Sequence, residues 1–277
     1  MLKEVWHLSW KGMSFTYGVL LVESIAFALL PMYLGRAVDG LFDKDWFWFG
    51  VYLTICVVGG TVGTFRRCVD TRIFGSAWGI MSTNVVGKLI NNKMDTAKII
   101  TRAGLSTRFV DFFEYALPEF LVAVVGVIVP IGFLWANAPE ALPVIVVLIV
   151  VLVVVSLWIS HKEKPWDNKA QTARDDLNQA IEDKDIKQVG QAYDLTIKAY
   201  IKRSDWGAAN WLTRFLIGIG GEVAVIVALA EQGATPGELL AAIGFVWNLF
   251  SSVAGTTNLF SWIRSIEVAD ERISEGL

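Results

Sequence analysis

Apolar residues along this chain gather into six runs, each close to the roughly 20 residues that a helix needs to cross a bilayer core. They fall at about 14–34, 46–65, 117–135, 142–160, 212–230 and 239–263. The fourth, LPVIVVLIVVLVVVSLWIS, is the plainest. It is rich in Val and Ile, but a lone strand in lipid would leave its backbone unsatisfied, so a helix is expected. Asn137-Ala138-Pro139-Glu140 makes a tight turn between runs three and four. Runs two and six carry no charge, whereas run one holds Glu23 and run five holds Glu222. The first run is too long for a cleavable signal and no small-residue cleavage site follows it, so it reads as a retained span.

The polar stretches between the runs have a pattern of their own. Residues 66–116 and 161–211 are long and of helical composition, the first broken near 91–95 and 103–106 and the second near 183–188. Each reads as two helices joined by a short turn. At 1.5 Å per residue, about 20 extra residues carry a helix roughly 30 Å past the bilayer. The remaining connections are short. The chain is therefore expected to be an all-α membrane protein, with six transmembrane helices and long helical extensions on one side.

Composition narrows the class. Of 277 residues, 54% are apolar and 18% charged, and the mean hydropathy is +0.50. A soluble domain carries about 25% charged residues, so a soluble enzyme is excluded, as is disorder. The abundant Trp and Phe suit membrane interfaces. A net charge of −3 gives no basic field for nucleic acid, and no such partner is expected. Cys56 and Cys68 make no disulfide framework. His7 and His161 lie far apart with no metal-ligand spacing, so no metal or cofactor is expected.

Charge then sets the sidedness. Of the 24 Lys and Arg, only Arg36 and Lys44 fall on the short-loop side, which holds Asp39, Asp43, Asp45, Glu140, Glu231 and Glu238. The positive-inside rule places both termini and both long hairpins in the cytoplasm, with the chain in the inner (cytoplasmic) membrane.

Four stretches now carry a resemblance. Run one ends in Pro31-Met-Tyr-Leu-Gly35-Arg36-Ala-Val-Asp39-Gly40. Gly104-Leu-Ser-Thr-Arg108-Phe-Val-Asp111 precedes run three, Gly233-Ala-Thr-Pro236-Gly237-Glu238 precedes run six, and Glu267-Val-Ala-Asp270-Glu271-Arg272-Ile273 follows it. In this order and spacing the chain resembles the transmembrane domain of ABC exporters of the type IV fold. The resemblance implies a domain-swapped homodimer that exchanges spans four and five, and alternating access around a central cavity. The chain has no GxxxxGK[ST] phosphate loop and stops at Leu277, so a six-transmembrane ABC-like domain without a nucleotide-binding domain is expected. The looser analogy is to peptide-uptake proteins that share the fold, lack the ATPase and use a proton gradient. The expected function is ion- or proton-coupled transport of a small or amphipathic solute. The alternatives are a membrane subunit that pairs with a separate ATPase chain at the cytoplasmic turns 91–98 and 183–189, and a non-transporting lipid-binding or regulatory scaffold. The expected partners are a second copy, the lipid bilayer and that ATPase.

Candidate residues follow from cost. A carboxylate at the centre of a span costs about 2.5–3.5 kcal/mol on insertion scales, so Glu23 and Glu222 are candidates for proton coupling. The alternative is a neutral glutamate hydrogen-bonded to a neighbouring helix. Glu114 and Glu119 flank Pro118, with Asp111 one turn before Glu114, and make a possible acidic face for a cation or protons. A solvated face paired to Arg108 or a Lys is the alternative. On run six, Asn248, Ser251, Ser252, Gly255 and Asn258 recur at steps of three or four, which is one helical stripe. With Tyr17 and Trp247 they are the candidates for a solute cavity. Helix–helix packing through small and polar residues is the alternative.

Overall fold

A computed structural model describes residues 2–92, 96–182 and 185–274. Among them the backbone is helical, with no strand. The helices are α1 (Leu2–Ala28), α2 (Leu30–Phe42), α3 (Phe47–Asn91), α4 (Thr96–Asp111), α5 (Leu117–Asn137), α6 (Leu142–Glu182), α7 (Ile186–Glu231) and α8 (Pro236–Ser274). A π-turn, Phe112–Ala116, links α4 to α5, and the 3-10 turn Pro139–Ala141 links α5 to α6. Six helical stretches among the described residues are long and apolar enough to cross a membrane: Glu4–Phe42, Phe47–Asn91, Arg102–Asn137, Pro139–Trp166, Ile186–Glu231 and Pro236–Val253.

Local chemistry sets the breaks. The first crossing is two helices because Pro31 lacks an N–H and disfavours helical geometry before it, so the chain turns at Leu29. Gly233, at a φ of 74°, ends α7 in the left-handed conformation that glycine adopts without strain. Thr235 and Glu238 cap α8 reciprocally: Thr235 N donates to Glu238 Oε2 and Glu238 N to Thr235 Oγ1.

The polar stretches are helical, as their composition predicts, but the break expected near 103–106 is absent, because α4 runs unbroken from Thr96 to Asp111 and Gly104 is tolerated within it. Helices α3, α6 and α7 run for 45, 41 and 46 residues, about twice what a bilayer core requires. Residues 93–95 and 183–184, inside the two hairpin turns, lie outside the described residues.

The chain divides into two compact units. One comprises residues 1–140 and 225–277, and the other residues 141–224. In the first, α8 packs on α2 and α5, and α3 packs on α1 and α2. Phe133 of α5 stacks on Phe245 of α8 at 4.2 Å, and a cluster including Met13, Phe74, Met81, Phe109 and Ile273 forms its core at the Lys/Arg-rich end. In the second unit, Trp158 of α6 meets Trp206 of α7 edge to face at 5.8 Å. Outward on α6, Val146, Val147, Val150, Val154 and Leu157 are exposed, which is the pattern of a surface that faces lipid or another protein.

Candidate functional site

Glu23 is not a lone carboxylate. Arg66 on α3 donates from Nε to Glu23 Oε2 at 2.8 Å and from Nη1 to Asp70 Oδ2 at 2.6 Å. The three side chains are 13%, 11% and 14% exposed. One guanidinium fork thus holds two carboxylates, the arrangement in which Arg pairs are strongest. Gly63, one turn before Arg66, makes room for it, because any Cβ there would collide with the Glu23 carboxylate. Arg66 directly follows the second apolar run. The register of α1 on α3 therefore sets Glu23 level with the Lys/Arg-rich end of that run, not midway through a span. The limits 14–34 suggested otherwise because the first crossing continues through α2 to Phe42. In sequence Arg66 reads as one of the Lys/Arg charges of the cytoplasmic side, and nothing singles out Asp70. The one legible sign of their role was a cation immediately after an uncharged run.

Tyr17 also has a defined partner. Pro118 supplies no N–H, and Leu117 N donates five residues back to Phe112 O, which is the π-turn hydrogen bond. Both donors that could reach Phe113 O within the helix are therefore gone. Tyr17 Oη donates to that carbonyl at 2.7 Å. The hydroxyl assigned to a solute cavity instead satisfies the backbone carbonyl that the proline leaves open. Tyr17→Phe is expected to cost about 1–3 kcal/mol, the penalty for an orphaned buried acceptor. Thermal unfolding of the purified chain reads this, and an unchanged midpoint would contradict it.

Of the acidic face, Glu114 is half-buried on the π-turn and Glu119 is exposed on α5. Asp111 and Asp70 both lie close enough to act on Glu114 electrostatically. The face therefore extends to α3 and borders the Arg66 cluster, whereas Glu119 points toward α8, 3.9 Å from the position a Cβ on Gly255 would take.

The stripe on α8 divides. Ser252 packs against Gly126 of α5 so closely that a Cβ there would strike its hydroxyl, and Gly255 faces Ala123, whereas Asn248 is half-buried and meets Gly126 only through its backbone carbonyl. This half is small-residue packing between helices. Ser251 and Trp247 are exposed on α8. The side chain of Asn258 lies outside the described residues.

At the short-loop end, two of the resemblance motifs meet. Asp39 Oδ2 accepts from Thr235 Oγ1 at 2.6 Å, and Asp39 Oδ1 accepts from Gly237 N at 2.8 Å. A carboxylate thus caps the start of α8, where orphan N–H groups and the helix dipole favour negative charge. Gly35 and Gly237 let the two backbones touch: a Cβ on either would run into the carbonyl oxygen of the other. Pro31 seats against Gly244 in the same way. The glycine, proline and aspartate of the first motif are the complement of the second.

In the second unit, Glu222 is half-buried on α7, and its Oε1 is buried with no hydrogen-bond partner among the described residues. On the same helix Arg214 feels the charge of Glu163 from α6. Ser156 Oγ hydrogen-bonds Asn210 Oδ1 at 3.4 Å.

No curated protein matches the chain significantly. The family model described as the ABC transporter transmembrane region matches residues 2–235, which is most of the chain and ends just before α8. The sixth crossing therefore rests on α8's own apolar run and on its packing against α2 and α5. All-helical backbone, six apolar crossings and this match agree: the chain is a multi-pass membrane protein of the transporter type, and it belongs to the ABC transporter transmembrane region family.

Proposed function

We propose that two copies of the chain move a small or amphipathic solute across the inner membrane by alternating access, driven by a proton or ion gradient, with both termini in the cytoplasm. The observation that carries this reading is Glu222, a half-buried carboxylate in an apolar run with one oxygen unpartnered. An intramembrane acid with no partner is costly and is by default a functional group. Glu23 is the weaker carrier, since Arg66 already balances its charge. Coupling therefore rests on Glu222, and Asp111, Glu114 and Glu119 are further candidates for holding protons at the cytoplasmic end of α5. Asn248, Ser251 and Trp247 are the proposed solute contacts on α8. The division of the chain is compatible with the two-copy form: residues 141–224, which hold span four and the first two thirds of span five, make a unit of their own. These are the spans that the exporter fold exchanges.

The test is uptake of peptides, metal ions and lipids into energised vesicles. The wild-type chain is expected to move one class in a gradient-dependent way. Glu222→Gln is expected to lower that uptake by about tenfold, the scale of a site-to-site coupling free energy, and to flatten its pH dependence. An unchanged pH profile would sink the coupling role.

One observation favours a second reading. Helices of 45, 41 and 46 residues reach far beyond the bilayer, as they would to meet a separate ATPase at the hairpin turns. Copurification of an ATPase, with transport that needs ATP and survives collapse of the gradient, would favour this reading.

A further inference from the structure

We propose that the cleft beside the break in α1 binds the phosphate headgroup of an acidic phospholipid. Helix α1 is interrupted at Ser9, whose φ of −142° and ψ of 23° are not helical. Beside the break lies a cleft of about 480 Å³ between α1 and α3, lined by His7, Trp10, Lys11, Arg72, Ile73 and Ser76 among others. Two cations converge on it, and no carboxylate lines it. Lys11 Nζ sits 5.7 Å from the centre of the Trp10 ring. Arg72 gives one N–H to Cys68 O at 2.6 Å, which fixes the guanidinium and leaves its other donors available. Neither cation forms an ion pair among the described residues. The adjoining cleft differs on this point: it contains Lys88, but Glu4 accompanies it at 3.8 Å.

Unpaired surface cations are common, and level is what distinguishes these two. Arg72 comes seven residues after the second apolar run, about 10 Å outside its edge, and α1 brings Lys11 level with it, since Gly12 packs against Ile73. The headgroup layer is about 5–7 Å deep on each side, and long basic side chains reach toward it. Trp10 is 49% exposed beside them and is the residue type that anchors at this depth. The chemistry fits a lipid phosphate. The Arg72 fork and the Lys11 point charge take the anionic oxygens, the Ser76 hydroxyl is a further donor, and Leu8 and Ile73 offer apolar surface to the first acyl carbons. A zwitterionic headgroup brings its own cation and gains less. Free phosphate makes none of the apolar contact.

The full chain in an uncharged detergent, titrated calorimetrically with short-chain phosphatidylglycerol, phosphatidylcholine and inorganic phosphate, tests this. Saturable binding of phosphatidylglycerol is expected, with the other two probes about tenfold weaker or more. The pair K11Q/R72Q is expected to weaken phosphatidylglycerol binding about thirtyfold, and Lys11→Gln alone about fivefold. The single change, at an exposed residue, keeps the test intact if the pair misfolds. K11R/R72K retains binding. K187Q/K198Q, the same charge loss on α7, leaves it unchanged. Inorganic phosphate binding as tightly as phosphatidylglycerol overturns the lipid assignment. So does equal binding of the two lipids, or a K11Q/R72Q pair no weaker than K187Q/K198Q.

Discussion

Arg66→Met is expected to lower stability by about 3–5 kcal/mol, the cost of removing one partner from a buried ionic cluster. The methionine keeps most of the volume, so the loss is electrostatic. Glu23 and Asp70 would face each other across α1 and α3 with no cation between them. Burial already disfavours the Asp70 carboxylate, and Arg66 is what offsets it. The triple change R66M/E23Q/D70N should recover more than half of the loss, because neutral side chains of similar shape need no counter-charge. Arg67→Met, at the next and exposed position, is the control and should change little. Thermal unfolding followed by tryptophan fluorescence compares the four proteins. If Arg66→Met melts with Arg67→Met, the cluster does not hold α1 to α3.

Gly237→Ala is the second large effect, expected to cost roughly 3 kcal/mol. A Cβ there meets the Gly35 carbonyl oxygen and the Asp39 carboxylate at once. Neither can yield cheaply: the first is backbone, and the second already holds Thr235 and the start of α8. Gly35→Ala should behave alike from the other side. Gly79→Ala, on an exposed face of α3 with nothing within 4 Å of the new methyl group, should instead stabilise by about 0.5–1 kcal/mol. The same chemical change is thus expected to have opposite signs at two helical positions. Melting of the three variants, with their yield in the membrane fraction, shows the sign. A harmless Gly237→Ala would mean that α2 and α8 do not touch as described.

The sequence carried the architecture well because its signals are local. Each apolar run announces a crossing by length alone, and the polar stretches at 66–116 and 161–211 are too long and too helical in composition to be loops. Local reading also placed Pro118 as a break. It could not see which side chain answers the break, since Tyr17 lies 96 residues from Phe113. The same distance in sequence hid the clasp: Asp39 and Thr235 are 196 residues apart, and each motif looked like an isolated family signature. Glu23 shows the same limit: in sequence it stands alone in an apolar run, whereas its partner Arg66 stands 43 residues away, one residue past an uncharged run. The polar stripe on α8 had the right period but not one role. Periodicity assigns a face and not its occupant, and α5 covers half of it through Gly126. Glu222 is the residue for which the sequence argument remains strongest, because its buried oxygen has no hydrogen-bond partner among the described residues.

Proton movement through the reconstituted chain tests the central claim most directly. Vesicles loaded with a pH-sensitive dye and given an imposed pH gradient, without ATP, would receive the transported solute once uptake has identified it. The wild-type chain is expected to carry protons with the solute, and Glu222→Gln to carry neither at a comparable rate. Solute movement with no proton flux, or one that starts only when ATP and a copurified ATPase are supplied, would contradict it.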